Sequence, residues 1–237
     1  MHQEVLDFVG GNLHLLEVTG KTVLEVGSYD FNGTVRPLFA AENPTQYTGV
    51  DILDGPGVDV VCDAGQLVEE FGEECFDIIV TTEMLEHAHD WRTAVQQMKR
   101  VLKPGGHLVL TTRSIGTGYH GYPYDFWRYE PADMEAIFND FEILDLQSDP
   151  SRPGVFLYAR KPTPFKERPI DDIALYSILL SRRVKNVNPA QEWLALKRIG
   201  FVRWYRQALV RARMTLWGLL PVALRRTLKR TIFDRSS

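Results

Sequence analysis

Through the first 160 residues, short apolar runs rich in β-branched residues alternate with segments of helical spacing, and this recurrence limits the fold more than any other feature. The runs are TVLEV (22–26), YTGVD (47–51), VDVVC (58–62), FDIIV (76–80) and HLVLTT (107–112). Each suits a strand and is too short for an ordinary helix. The clearest helix lies between the last two, over 91–103, where Trp91, Ala94, Val95, Met98, Val101 and Leu102 fall on one face. Asp90 suits its N-cap, and Pro104-Gly105-Gly106 stops it. Strand, helix, strand in repetition predicts an α/β fold with a mostly parallel sheet and helices on both faces. FEILDL (141–146) and GVFLYAR (154–160) are joined by a turn with no room for a helix, so they are expected to pair as an antiparallel edge hairpin.

In such a sheet ligands bind beyond the carboxyl ends of the strands. In VLEVGSYDFNG (23–33), Gly27 stands where the first strand ends, but the G-x-G-x-x-G pattern of nicotinamide sites is absent. Asp51 ends the second strand, 24 residues beyond Gly27, where a carboxylate can accept hydrogen bonds from both hydroxyls of a ribose. Asp63 ends the third and can accept from an adenine amino group. Three strand ends thus converge on one adenosine.

Taken in order, VLEVGSYDFNG, YTGVD, VVCDA, FDIIVTTEMLEHAHDW and KRVLKPGGHLVLTT resemble the class I S-adenosylmethionine-dependent methyltransferases, particularly their type 11 branch, over about residues 20–160. The resemblance implies a Rossmann-like class I methyltransferase sheet and S-adenosylmethionine as cofactor. It implies a cofactor site of Glu25, Gly27, Ser28, Tyr29, Gly33, Asp51, Ile52, Asp63, Ala64 and Glu83. In the family, glycines let the backbone approach the methionine end of the cofactor. Here Tyr29 stands at a usual glycine position, so the loop is expected to be longer and differently shaped.

Glu83, Glu86 and His87 form E-x-x-E-H after the fourth strand. In resembling ubiquinone-pathway and small-RNA methyltransferases a similar cluster holds a divalent metal, sometimes with a later histidine. The plainer expectation is no metal, with Glu83 lining the cofactor pocket and Glu86 and His87 supporting the loop. After the fifth strand, TRSIGTGYHGYPYDFWRYEPADM concentrates aromatic and polar residues in a loop at the ligand end of the sheet. His120 is the candidate general base, since an imidazole titrates near neutral pH, and Asp125 can orient it. Arg128 either binds an anionic acceptor or pairs with an acid. The expected reaction is O-methylation of a sugar or other hydroxylated metabolite. N-methylation of a small amine and a non-catalytic cofactor-binding partner are the alternatives.

Charge divides the chain. Residues 1–180 hold 13 Lys and Arg against 29 Asp and Glu, whereas residues 181–237 hold 14 against 2. The acidic body argues against a nucleic-acid acceptor, and the aromatic and polar loop suits a small-molecule or glycan one. The expected layout is a cofactor-binding domain over 1–160, a proline-rich linker over 161–170 and a basic helical extension over 171–237, with helices at 171–184, 189–213 and 221–233. The extension suits an anionic membrane surface and, equally, packing against the acidic body or a homodimer contact. Two cysteines, Cys62 and Cys75, cannot make a disulfide framework, and no signal peptide precedes the first strand-like run. A cytoplasmic setting is the expectation, peripheral to the membrane if the extension docks there.

Overall fold

The structure, a computed structural model, describes residues 2–121 and 125–202. The chain divides into two compact units, Met1–Val187 and Asn188–Ser237. Among the described residues of the first unit are ten strands: β1 (Thr22–Val26), β2 (Gln46–Asp51), β3 (Val60–Val61), β4 (Phe76–Thr82), β5 (Leu102–Arg113), β6 (Trp127–Arg128), β7 (Glu142–Ser148), β8 (Gly154–Arg160), β9 (Leu175–Ser177) and β10 (Arg182–Val184). Seven form one sheet in the order β3-β2-β1-β4-β5-β8-β7. The first five of these pair in parallel, and β8 runs antiparallel to both β5 and β7. The edge hairpin expected from FEILDL and GVFLYAR is present as β7 and β8.

The sheet buries both faces, so its central strands are nearly continuous apolar runs. Helices α1 (Gln3–Leu16) and α2 (Arg36–Ala41) cover one face, around Val5, Phe8, Phe39, Val23, Ile78, Val80 and Phe156. The intervening Leu24, Ile79, Leu108 and Leu110 are also buried and alternate to the opposite face. Two further helices are short, α3 (Leu67–Phe71) and α5 (Pro131–Ile137), and α4 (Trp91–Val101) lies between them in sequence. The Asp90 carboxylate accepts from the Thr93 N–H at 3.2 Å, the cap expected of it. Trp91, Ala94, Val95, Met98 and Val101 are buried, as their spacing predicts. α4 stops at Val101 because Leu102 already pairs with Phe76 of β4.

The helix expected over 171–184 is not formed. β9 and β10 make an antiparallel hairpin there, and β9 also pairs with β6. Leu175, Ser177 and Leu179 are buried in alternation, a period of two that strand pairing exploits. Arg92 of α4 ties this segment down, donating to the carbonyls of Ile170, Ile173 and Lys185. Residues 161–170 are likewise anchored, with Ile170 buried and the Lys161 ammonium donating to the carbonyls of Lys99 and Leu102 at 2.9 and 2.6 Å. In the second unit, residues 189–202 are helical. The remainder of that expected helix, the one at 221–233, and Tyr122 and Tyr124 of the aromatic loop lie outside the described residues. Among the described residues no helix is long and apolar enough to cross a membrane.

Candidate active site

The turn after β1 is shaped by close approach. Gly27 has φ of +82°, and a Cβ there would lie 2.5 Å from both Cβ and Cγ of Met84, so only glycine fits. The Gly27 and Ser28 N–H groups both donate to the Val50 carbonyl, at 2.9 and 3.0 Å, and Asp30 N–H donates to Pro56 O at 2.8 Å. Tyr29, where a glycine was expected, is accommodated by glycine in the facing turn. A Cβ on Gly55 would come within 2.4 Å of the Tyr29 ring. Gly33 N–H donates to Asp30 Oδ1 at 2.7 Å and closes the loop. The structure turns Ser28 inward, buried, with its Oγ toward Gly49 and without a hydrogen-bond partner among the described residues.

Asp51 joins the first two strand ends, its Oδ2 accepting from Tyr29 N–H at 3.3 Å and its Oδ1 from Leu53 N–H at 3.0 Å. Each oxygen keeps a second lone pair for a ligand hydroxyl. Asp63 is exposed at the end of β3, with Oδ1 accepting from Gly65 N–H at 2.7 Å, and Ala64 beside it is half-buried. Phe31, 86% exposed, and the exposed Ile52, Leu53 and Val61 follow or end the same strands. Large apolar side chains left in water at the ligand end of a sheet suit the face of an aromatic base.

Beyond β4 and β5 the side chains change character. Glu83, with φ of +55°, ion-pairs with Arg113 at the end of β5. Burial and the nearby Glu86 carboxylate push its carboxyl up to about 8 against the pull of Arg113. Arg113 also approaches Asp149, at 3.6 Å, and the His2 ring. Glu86 sits on a single 3₁₀ turn, Leu85–His87, and is fully buried. Its Oε2 accepts from Thr112 Oγ1 at 2.8 Å, while Oε1 accepts no hydrogen bond among the described residues. Two imidazoles face that oxygen, with Nε2 of His87 and Nε2 of His120 each 3.8 Å away.

His120 is held from its other side. Asp125 Oδ2 lies 3.2 Å from His120 Nδ1 and accepts from the His120 backbone N–H at 2.8 Å. Asp125 is itself gripped by the buried Arg128, whose guanidinium donates to its two oxygens at 2.6 and 2.9 Å. The same fork donates to the carbonyls of Thr117 and Gly118 at 3.0 Å, fastening the loop that bears His120. Arg128 therefore pairs with an acid and is not exposed to an anionic acceptor. The hydrogen bond and charge of Asp125 raise the His120 pKa above the ordinary imidazole value, against the desolvation that lowers it. Burial alone would raise the Asp125 carboxyl; the bonds to Arg128 and His120 outweigh it and hold that carboxyl well below the usual range.

Residues 3–144, more than half of the chain, match the family model described as a methyltransferase domain. The chain belongs to the class I S-adenosylmethionine-dependent methyltransferases. The methyltransferase is similar to the ubiquinone biosynthesis O-methyltransferase of Idiomarina loihiensis, 31% identical over 106 residues that cover 39% of this chain and 42% of that one. The namesake in Pseudomonas entomophila is 32% identical over 111 residues, 41% and 46% of the two chains. The methyltransferase thus spans less than half the length of these curated relatives. Among solved structures it is similar to Burkholderia thailandensis 1,6-didemethyltoxoflavin-N1-methyltransferase with bound S-adenosylhomocysteine, with a TM-score of 0.55 and 20% identity over 67% of this chain and 78% of that one. The [4+2]-cyclase SpnF is similar at a TM-score of 0.51 and 20% identity, over 66% and 80% of the two chains. Likeness at this level shows the fold, and a cyclase on the same fold means that the reaction must be argued from the site.

The methyltransferase therefore gathers its expected residues into two neighbouring groups. Gly27, Tyr29, Gly33, Asp51, Ile52, Asp63 and Ala64 follow or end β1 to β3, a set that fits an adenosyl cofactor by its two acids and its exposed apolar rim. Glu86, His87, His120 and Asp125 lie past β4 and β5. Arg113, Thr112 and Asp149 are absent from the sequence-based set. An arginine closing a central strand was the available signal for Arg113, since β4 and β5 end side by side, with Thr82 opposite Thr111. The E-x-x-E-H pattern is corrected in one respect: Glu83 is engaged by Arg113, and the three groups with ligand atoms within 4.8 Å of one another are Glu86, His87 and His120. An orphaned buried carboxylate oxygen between two imidazoles is a donor set that fits a divalent transition ion.

Glu25 lies below the turn, 2% exposed, and accepts from Tyr47 Oη at 2.7 Å. Burial pushes its carboxyl from the ordinary 4.5 to about 7 despite the Tyr47 hydrogen bond and the Arg36 charge, with Asp30 and Asp59 adding to the rise. A carboxyl raised by folding is protonated in the folded chain where it is ionised in the unfolded one. Its contribution is full below pH 4.5 and is lost as pH climbs to about 7. The loss is on the order of 3 kcal/mol. In urea unfolding followed from pH 4.5 to 8, Glu25→Gln is expected to lack this decline and to gain on the wild type as pH rises. Parallel pH profiles for the two proteins would contradict the assignment.

Proposed function

We propose that the methyltransferase methylates a hydroxyl oxygen of a small hydroxylated acceptor, a sugar or a phenol, with His120 receiving the hydroxyl proton. The observation behind this reading is the His120 imidazole, backed at Nδ1 by a buried carboxylate and presenting Nε2 toward Glu86 and His87. A carboxylate at one ring nitrogen fixes the tautomer and strengthens the other nitrogen as a base. When bound, S-adenosylmethionine supplies an electrophilic methyl group. Asp51 binds the ribose hydroxyls; Gly27 gives the backbone room at the first strand end; Arg113 holds Glu83 beside the pocket. The acceptor lies against His120, and alignment with removal of the proton at Nε2 is what the chain adds to the rate. The O-methyltransferase names of the curated relatives support a hydroxyl acceptor over an amine.

A second reading rests on Glu86 Oε1. A divalent ion held by Glu86, His87 and His120 would acidify the acceptor hydroxyl in place of a protein base. His120 Nε2 cannot both bind an ion and take a proton, so the two readings exclude each other at that atom. Transfer of tritiated methyl from S-adenosylmethionine to a panel of sugars, phenols and amines, before and after exhaustive chelation, tests both. Methylated hydroxyls with activity indifferent to chelation are the expected outcome for the base. Loss of activity restored by added divalent metal would establish the ion, and methylation of amines alone would overturn the hydroxyl acceptor.

A further inference from the structure

The helical residues 189–202 present two unlike halves. Trp193, Leu194, Lys197, Arg198, Phe201 and Val202 are all exposed, and positions four apart pair them along one half of the helix. On the other half Ala195 is buried, and Glu192, Leu196, Ile199 and Gly200 are partly so. Trp193 and Leu194 are 55% and 61% exposed. The Lys197 ammonium lies 3.9 Å from the centroid of the Trp193 ring, so cation and aromatic share one surface. The exposed half has two cations and no acid, although Glu192 is on the same helix.

We propose that this face docks the methyltransferase on an anionic lipid surface. A helix lying in the interface buries aromatic and aliphatic side chains while lysine and arginine reach the headgroups, and apolar burial and electrostatic attraction add. Charge selects the occupant. Packing this face on a second copy of itself would bring Lys197 and Arg198 against their own duplicates, in a segment where 14 cations face 2 acids over residues 181–237. An anionic bilayer supplies both the charge and the apolar depth.

The test is co-sedimentation of the full chain with vesicles of phosphatidylcholine alone and of equal parts phosphatidylcholine and phosphatidylglycerol, at low and high salt. The wild type is expected to pellet with the anionic vesicles at low salt, to be released by high salt, and to ignore phosphatidylcholine. Trp193→Glu with Leu194→Glu removes apolar burial and is expected to weaken partition at least about tenfold. Lys197→Glu with Arg198→Glu removes attraction and is expected to weaken it about tenfold or more. Unchanged S-adenosylhomocysteine binding in both variants shows that the first unit is intact. The proposal falls if the wild type stays in solution with anionic vesicles. It falls equally if the Trp193 and Leu194 variant binds them as the wild type does. Sedimentation velocity showing a dimer that this variant dissociates, without vesicle binding, would assign the face to a second copy instead.

Discussion

Replacing His120 with alanine is expected to lower turnover of a hydroxyl acceptor by about 10²–10⁴-fold while S-adenosylhomocysteine affinity stays unchanged. The size follows from what the imidazole does. An alcohol or phenol attacking a sulfonium methyl must lose its proton, and without a positioned base that proton leaves to water. The separation of effects follows from geometry. His120 lies past β5, close to Glu86, His87 and Asp125, whereas Asp51 and Asp63, the acids proposed to hold the cofactor, end β2 and follow β3. His120→Gln keeps a similar volume without a group that titrates near neutral pH, so it should be nearly as slow, which distinguishes lost chemistry from lost packing. Normal turnover in the alanine variant would remove His120 from the mechanism and favour an amine acceptor, which can attack in its neutral form.

Asp51→Ala is expected to weaken S-adenosylhomocysteine binding by roughly 10²–10⁴-fold in calorimetry, because two charge-assisted hydrogen bonds of about 1.5–3 kcal/mol each are lost. Two backbone N–H groups also rest on this carboxylate, those of Tyr29 and Leu53. Asp51→Asn retains an acceptor oxygen for one of them and is expected to fall between alanine and wild type. Affinity equal to wild type in both variants would remove Asp51 from the ribose.

The strand pattern carried most of this architecture because buried parallel strands are written as uninterrupted apolar runs, which survive any loop variation. Helix α4 was legible for a related reason, since its cap and its apolar face agree, but pairing of Leu102 with Phe76 ends it ahead of the expected Pro104-Gly105-Gly106 stop. The hairpin of β9 and β10 was not, since Leu175, Ile178 and Leu179 also fit helical spacing. Pairing with β6 and the Arg92 anchor decide the matter from outside the segment. At the site, Asp51 and Asp63 could be placed by strand position alone. The approach of His120 to Glu86 could not, because 33 residues of chain separate them and only the fold of the loop, fastened by Arg128, closes the distance. The same holds for Arg113 and Asp149, which meet only because β5 and the end of β7 share one side of the sheet.

The most direct measurement is a crystal structure with S-adenosylhomocysteine bound, read for what lies beyond its sulfur. The expected complex has ribose hydroxyls on Asp51, adenine beside Ile52 and Asp63, and the sulfur directed at the space bounded by Glu86, His87 and His120, with room there for one acceptor hydroxyl. A sulfur directed away from His120, or a pocket in which Glu86, His87 and His120 are separated from the sulfur by packed side chains, would contradict it.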